Sequence, residues 1–172
     1  MRVIIIGCGI GGATAALALQ KAGIEHVVLE QAAELKEVGA GLQLSPNAVR
    51  VLEWVGLSDQ LATIGAKPQA HLFIDGLSGE TLLQTPLMPK VREFFGAPYY
   101  HAHRAELLDI LTRATTEQQV RLNAEVTAIS QSADGVQVTL ADGSIEHGDV
   151  LIGADGVHSV VREQVFKPAP PR

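Results

Sequence analysis

Apolar residues along this chain fall either into short unbroken runs or into stripes at helical spacing. Val3-Ile4-Ile5-Ile6 and Val27-Val28-Leu29 are wholly apolar runs, the pattern of strands buried on both faces of a parallel sheet. Between them, Ala13 to Ala22 is rich in helix formers and stops at Gly23. The pattern therefore predicts a strand over 2–6, a helix over 11–22 and a strand over 26–30. Residues 31–44 carry Gly39 and Gly41 as breakers and predict irregular chain. Ser45-Pro46-Asn47 then opens a helix, with Ser45 as its cap and Pro46 in the first helical position. Ala48, Val51, Leu52 and Val55 recur on one face until Gly56 stops it. Residues 69–74 and 80–84 predict two strands joined from Asp75-Gly76 to Gly79, and 85–98, with Pro86, Pro89 and Pro98, predicts a loop or crossover.

The second half changes period. Arg104 to Thr115 is amphipathic, with Leu107, Leu108, Leu111 and Ala114 on one face. Val120-Arg121-Leu122 is a short strand. Val126–Ser130 and Val136–Leu140 predict an antiparallel pair turning near Asp134-Gly135, and Asp142-Gly143 leads into a third strand over 144–147. Val150-Leu151-Ile152 is again wholly apolar, the signature of a last parallel strand, and a short helix follows from about His158. The order predicts an α/β fold: a parallel sheet with helical crossovers, interrupted by a β-meander. The first and last parallel strands both end in glycine turns, and as neighbours they would flank one crevice, where open α/β sheets bind ligands.

Gly7-Cys8-Gly9-Ile10-Gly11-Gly12 follows the first strand directly, with glycines in a G-x-G-x-x-G pattern at Gly7, Gly9 and Gly12. Gly7 allows the tight turn, Gly9 lets a pyrophosphate approach the backbone, and Gly12 lets helix and strand pack closely. Glu30 closes the second apolar run, where an acid accepts hydrogen bonds from a ribose diol and repels a 2′-phosphate. A secretory signal is the competing reading of this apolar N-terminus, but the glycines would break its helix and the position of Glu30 would go unexplained. The 172 residues suffice for a domain with a real core. The net charge of −6, without a basic cluster, argues against nucleic acid and anionic membranes as partners. One cysteine suits a reducing cytoplasm, and Cys8 is a small residue packed in the glycine turn. The six histidines show no metal-ligand spacing, so no metal site is expected, and no catalytic residue stands out.

Four motifs together carry a family resemblance. Beyond Gly12, small residues at Ala16 and Gly23 extend the fingerprint into the form seen at the N-terminus of glutathione-reductase-like flavoproteins. Asp155-Gly156-Val157-His158-Ser159-Val160-Val161-Arg162 matches a D-G-x-x-S-x-x-R element. Gly39-Ala40-Gly41-Leu42-Gln43-Leu44-Ser45-Pro46-Asn47 and His103-Arg104-Ala105-Glu106-Leu107 match a loop and an arginine-led helix. On these residues nearly the whole chain resembles the N-terminal half of the single-component FAD-dependent aromatic hydroxylases, class A flavoprotein monooxygenases of the salicylate and 3-hydroxybenzoate hydroxylase type.

That resemblance implies a Rossmann-like FAD-binding domain of the glutathione-reductase type over 1–166, plus the beginning of a substrate-domain sheet in an excursion over 67–100. It implies FAD as cofactor, NAD(P)H as transient electron donor, and O2 and a small hydroxybenzoate-like aromatic as substrates. Gly7, Gly9 and Gly12 would face the pyrophosphate and Glu30 the adenosine ribose. Gly41, Leu42 and Gln43 would run beside the ribityl chain and flavin, Arg104 would reach ribityl or pyrophosphate oxygens, and Val126 would cover the adenine by its backbone. Asp155 would sit near the pyrophosphate, with Arg162 bracing its turn. Members of that family are considerably longer. The Pro-rich tail over 167–172 is therefore read as a truncation boundary, and the chain alone is expected not to hydroxylate and to self-associate through uncovered surface. A non-catalytic FAD- or ADP-binding fragment and an NAD-dependent dehydrogenase are the competing functions.

Overall fold

The computed structural model describes residues 1–35, 39–115 and 119–166. The chain divides into two compact units, one of Met1–Lys36 with Leu111–Arg172 and the other of Glu37–Ile110.

In the first unit, β1 (Arg2–Ile6) runs through a glycine turn into α1 (Ile10–Lys21) and returns as β2 (Glu25–Leu29). The chain comes back as β7 (Val120–Arg121), makes the meander β8 (Val126–Ser132), β9 (Gly135–Leu140) and β10 (Ile145–Gly148), and enters β11 (Val150–Gly153) and α6 (Val160–Phe166). Among the described residues, the four parallel strands lie in the order β11-β1-β2-β7 and the meander in the order β10-β9-β8. Val3 pairs with Val150 and Ile6 with Gly153, so the first and last parallel strands are neighbours, the arrangement in which their glycine turns flank one crevice.

The side-chain alternation of β1 explains its continuous hydrophobicity. Ile4 and Ile6 join Leu29, Ala124, Val126, Val138, Leu140 and Val161 in one buried cluster beneath the meander. Val3 and Ile5, also buried, turn to the other face, where α1 buries Gly12, Ala13, Ala16 and Leu17. Each such aliphatic side chain contributes about 1.5–3 kcal/mol by leaving water. Polar side chains bind the meander to the sheet: Arg2 and Arg121 both reach the Glu146 carboxylate, at 2.8 and 3.3 Å.

In the second unit, β3 (Gly41–Leu44) pairs antiparallel with β6 (Tyr100–His103), and β4 (Ala70–Ile74) with β5 (Thr81–Pro86). The helices are α2 (Pro46–Trp54), α3 (Ser58–Ile64) and α4 (Lys90–Phe95), and α5 (Arg104–Ala114) follows β6 directly. Asp75 fixes the β4–β5 turn by accepting from the backbone N–H groups of Leu77 and Ser78 at 3.0 and 2.7 Å.

Four local expectations change. Residues 41–44 form a strand where the glycines predict irregular chain, because β6 supplies a full ladder of partners for them. The stretch 85–98 contains α4: Pro86 and Pro89 precede the helix, and Gly96, at φ 74°, closes it. The short α3 is too brief to show a period. Ser45 takes the cap position of α2, but its hydroxyl lies 2.5 Å from Asn47 Oδ1 and makes no capping bond. The tail 167–172 lies outside the described residues.

Candidate functional site

The three glycines of the fingerprint are required for three different physical reasons. Gly7 has φ 95°, and a Cβ on it would lie 2.5 Å from the Ala154 carbonyl oxygen and 2.9 Å from Asp155 Cα. The turn after β1 is thereby pressed against the turn after β11, and the Gly7 N–H donates to Leu29 O at 2.8 Å. A Cβ on Gly12 would stand 1.9 Å from Gly7 O, so only glycine lets α1 abut the turn. Gly9 differs from both. Its backbone is extended at φ −70° and ψ −174°, and nothing lies within 4 Å of where its Cβ would be. Beside it α1 begins with no side-chain cap and no acid in its first turn, which leaves its leading N–H groups for an anion.

Glu30 follows β2 at the same end of the sheet. One carboxylate oxygen accepts from the Cys8 N–H at 2.7 Å and the other from the Ala32 N–H at 2.9 Å. Its backbone is pinned too, with its N–H donating to Arg121 O and its carbonyl accepting from Ala124 N–H. The acid is therefore rigid as well as correctly placed, and its remaining lone pairs are available to a diol. Cys8 is buried at 1% exposure, and burial, reinforced by the Glu30 charge, pushes its thiol up to about 11.

Asp155 lies beside Gly7, but its carboxylate turns toward α6. It accepts from the Ser159 hydroxyl at 2.6 Å and from the Val161 N–H at 3.1 Å, while Ser159 Oγ accepts from the Arg162 N–H. Arg162 donates back to Val157 O at 3.0 Å, bracing the turn. The D-G-x-x-S-x-x-R element is thus a self-contained helix entry that sets the backbone against Gly7. Val126 places its side chain in the core cluster at 9% exposure and opens β8 opposite Leu140. A groove of about 700 Å³ in this unit, lined by Ile129, Val136, Leu151 and Phe166 among others, reaches Gly153, Ser159 and Arg162 at the second turn but not Gly7, Gly9, Gly12 or Glu30.

In the second unit, Gly41, Leu42 and Gln43 lie along β3, opposite His103, Ala102 and His101. Gln43 is exposed, and its Oε1 accepts from the Tyr99 hydroxyl at 2.6 Å. Arg104 opens α5, its N–H donating to Ala40 O at 3.2 Å. Gly39 has a role beyond breaking structure, since a Cβ there would sit 2.9 Å from Arg104 Cβ. The close approach of Gly39 to Arg104, and the hold of Tyr99 on Gln43, are features sequence reasoning missed. Both join residues far apart in the chain, and no local pattern signals them.

An FAD pyrophosphate and adenosine fit what the first unit presents: open space over Gly9, uncapped helix N–H groups and a fixed acid one strand away. Comparison with known proteins points the same way. Residues 1–169 match the family model described as FAD binding domain. The chain is 41% identical over 170 residues to 3-amino-4-hydroxybenzoate 2-monooxygenase of Streptomyces cremeus, covering 99% of this chain and 43% of that protein. It is 42% identical over 174 residues to 3-hydroxybenzoate 6-hydroxylase 1 of Aquipseudomonas alcaligenes, covering 99% and 44%. Among solved structures, Klebsiella pneumoniae HpxO complexed with FAD and uric acid matches with a TM-score of 0.89 at 37% identity, over 100% of this chain and 43% of that one. The chain spans less than half the length of these relatives, and it belongs to the FAD-binding-domain family.

Proposed function

We propose that this chain is the FAD-binding portion of an NAD(P)H-dependent flavoprotein monooxygenase that hydroxylates a small aromatic, hydroxybenzoate-like substrate with O2. The open approach to Gly9, between a turn and a helix that tolerate nothing larger than glycine at 7 and 12, is the observation that carries it. FAD, when bound, supplies the redox and oxygen chemistry, and the protein's part is binding, orientation and exclusion of water. Gly7, Gly9 and Gly12 form the pyrophosphate cradle, and Glu30 receives the adenosine ribose. Val126 offers backbone to the adenine, and Asp155 holds the second turn at the pyrophosphate. Gly41, Leu42, Gln43 and Arg104 are assigned to the ribityl and flavin end. The β4–β5 hairpin within 67–100 is assigned to a substrate-domain sheet, and self-association through its exposed side chains belongs to the same proposal. The cytoplasm is the proposed compartment, in keeping with a single reduced cysteine.

Gly9→Ala tests the cradle. Its extended backbone accepts alanine without strain, but alanine is a poorer cap residue than glycine, so stability should fall by about 1 kcal/mol, which leaves the chain folded. Affinity for ADP and FAD, measured by calorimetry, should fall about tenfold or more as the methyl fills the approach, a loss of about 1.4 kcal/mol or more. Unchanged affinity for both ligands would remove Gly9, and the cradle with it.

A further inference from the structure

The Gln43 amide is held by a neighbour that is itself caged. Tyr99 is 9% exposed, and its ring meets His71 and His101 edge-on, with centroids 5.2 and 5.7 Å away. The two imidazoles lie nearly parallel, 17° apart in plane and 6.4 Å between centroids. His101 stands directly opposite Gln43 across the β3–β6 ladder. The Nε2 atoms of His71 and His101 are buried and find no hydrogen-bond partner, so at their inner edges the two rings are placed by packing. The hydroxyl of Tyr99 goes to Gln43.

A phenol offers one hydrogen, and an amide has an acceptor end and a donor end. With Tyr99 donating to Oε1, the orientation of the Gln43 amide is settled. Its oxygen is engaged inside the cage, and its NH2 group faces away on an exposed side chain. We propose that Tyr99 is a positioning residue that locks Gln43 as a hydrogen-bond donor toward the flavin end of FAD, whose ring carbonyls, ring nitrogens and ribityl hydroxyls are acceptors. This rests on the assignment of Gln43 to the flavin end.

The test compares the chain with Tyr99→Phe, Gln43→Ala and Gln43→Glu, each titrated with FAD and with ADP, which lacks the flavin. Affinity is read by calorimetry, and the flavin environment by absorption and fluorescence at pH 8. FAD should bind the unaltered chain more tightly than ADP does. All three variants should bind ADP within about twofold of the unaltered chain, showing that they are folded. Their FAD affinity should fall about five- to tenfold, the range of one hydrogen bond, with a smaller spectral shift of the flavin. Gln43→Glu discriminates between roles, because it keeps an acceptor for Tyr99 and has no donor to give. FAD affinity in Gln43→Glu equal to that of the unaltered chain overturns the donor role. Unchanged FAD affinity in Tyr99→Phe, beside a loss in Gln43→Ala, overturns the positioning role and leaves Gln43 at the flavin end. Loss of ADP binding in Tyr99→Phe makes the residue structural and also overturns it. An unaffected Gln43→Ala, or FAD bound no more tightly than ADP, removes Gln43 from the flavin end and the inference with it.

Discussion

At the scale of single residues, the glycine turn gives opposite forecasts for adjacent positions. Gly12→Ala forces a methyl to 1.9 Å from a carbonyl oxygen that neither backbone can withdraw, and should cost about 3 kcal/mol or more. Gly11→Ala, one position earlier in the same helix and facing open space, should be neutral or stabilise by up to about 1 kcal/mol. Paired denaturant titrations would show this, and equal losses at both positions would contradict the geometry. Cys8 supplies a pH forecast. Its folded-state thiol is raised to about 11 from 9.0, so the stability linked to its protonated form is fully present below pH 9 and is lost as pH rises toward 11. At about 1.4 kcal/mol for each tenfold gain in proton affinity, that is about 2–3 kcal/mol. Cys8→Ala should flatten the alkaline limb of the stability curve; an unchanged limb would place its cause elsewhere. Gly7, Gly9, Gly12 and Glu30 were legible because strand, turn, helix and acid follow one another within one β-α-β unit. The inward turn of the Asp155 carboxylate was not, because a turn-forming acid and a helix-capping acid read alike in sequence.

Among the elements, β1 and β2 match their pattern because strands packed on both faces admit little but apolar residues, whereas the meander was legible from its alternation and its Asp-Gly turns, and β11, at the sheet edge, is apolar yet only partly buried. The elements that escaped prediction are short or lie in glycine- and proline-rich chain: β3, its partner β6, α3 and α4. What made β3 a strand was a partner more than fifty residues away, and no window of local sequence contains that information. The β4–β5 hairpin was legible from its Asp-Gly turn, yet it is the least buried element pair. Leu72, Phe73, Ile74, Leu82 and Leu83 are all more than half exposed. Two strands alone are marginal in water, and clustered exposed aliphatic and aromatic side chains favour association. Sedimentation should therefore show a concentration-dependent increase in mass, reduced by Leu72→Lys with Leu82→Lys. A chain that stays monomeric at high concentration, or whose association is unmoved by those changes, would take the hairpin out of the contact.

At the scale of the whole chain, the central strand is also the one whose partners are most unequally spaced in sequence. β1 meets β2 after a single helix, but its other neighbour is β11, and Arg2 and Asp149, which close that side, are 147 residues apart. The 37–110 unit is spliced into the interval. Pairings of such long range are slow, because a large loop must be closed before any contact is made. Refolding followed by pulsed amide exchange should accordingly protect α1 and the meander before the outer edge of β1. Simultaneous protection of all three would mean that β11 docks as early as its neighbours. On the ribosome the delay becomes a matter of clock time. At about 5–20 residues per second, roughly 7–30 s separate the emergence of Ile4 and Ile5 from that of the strand that seals them. For that interval the most apolar segment of the nascent polypeptide has an open edge, the kind of surface that molecular chaperones recognise.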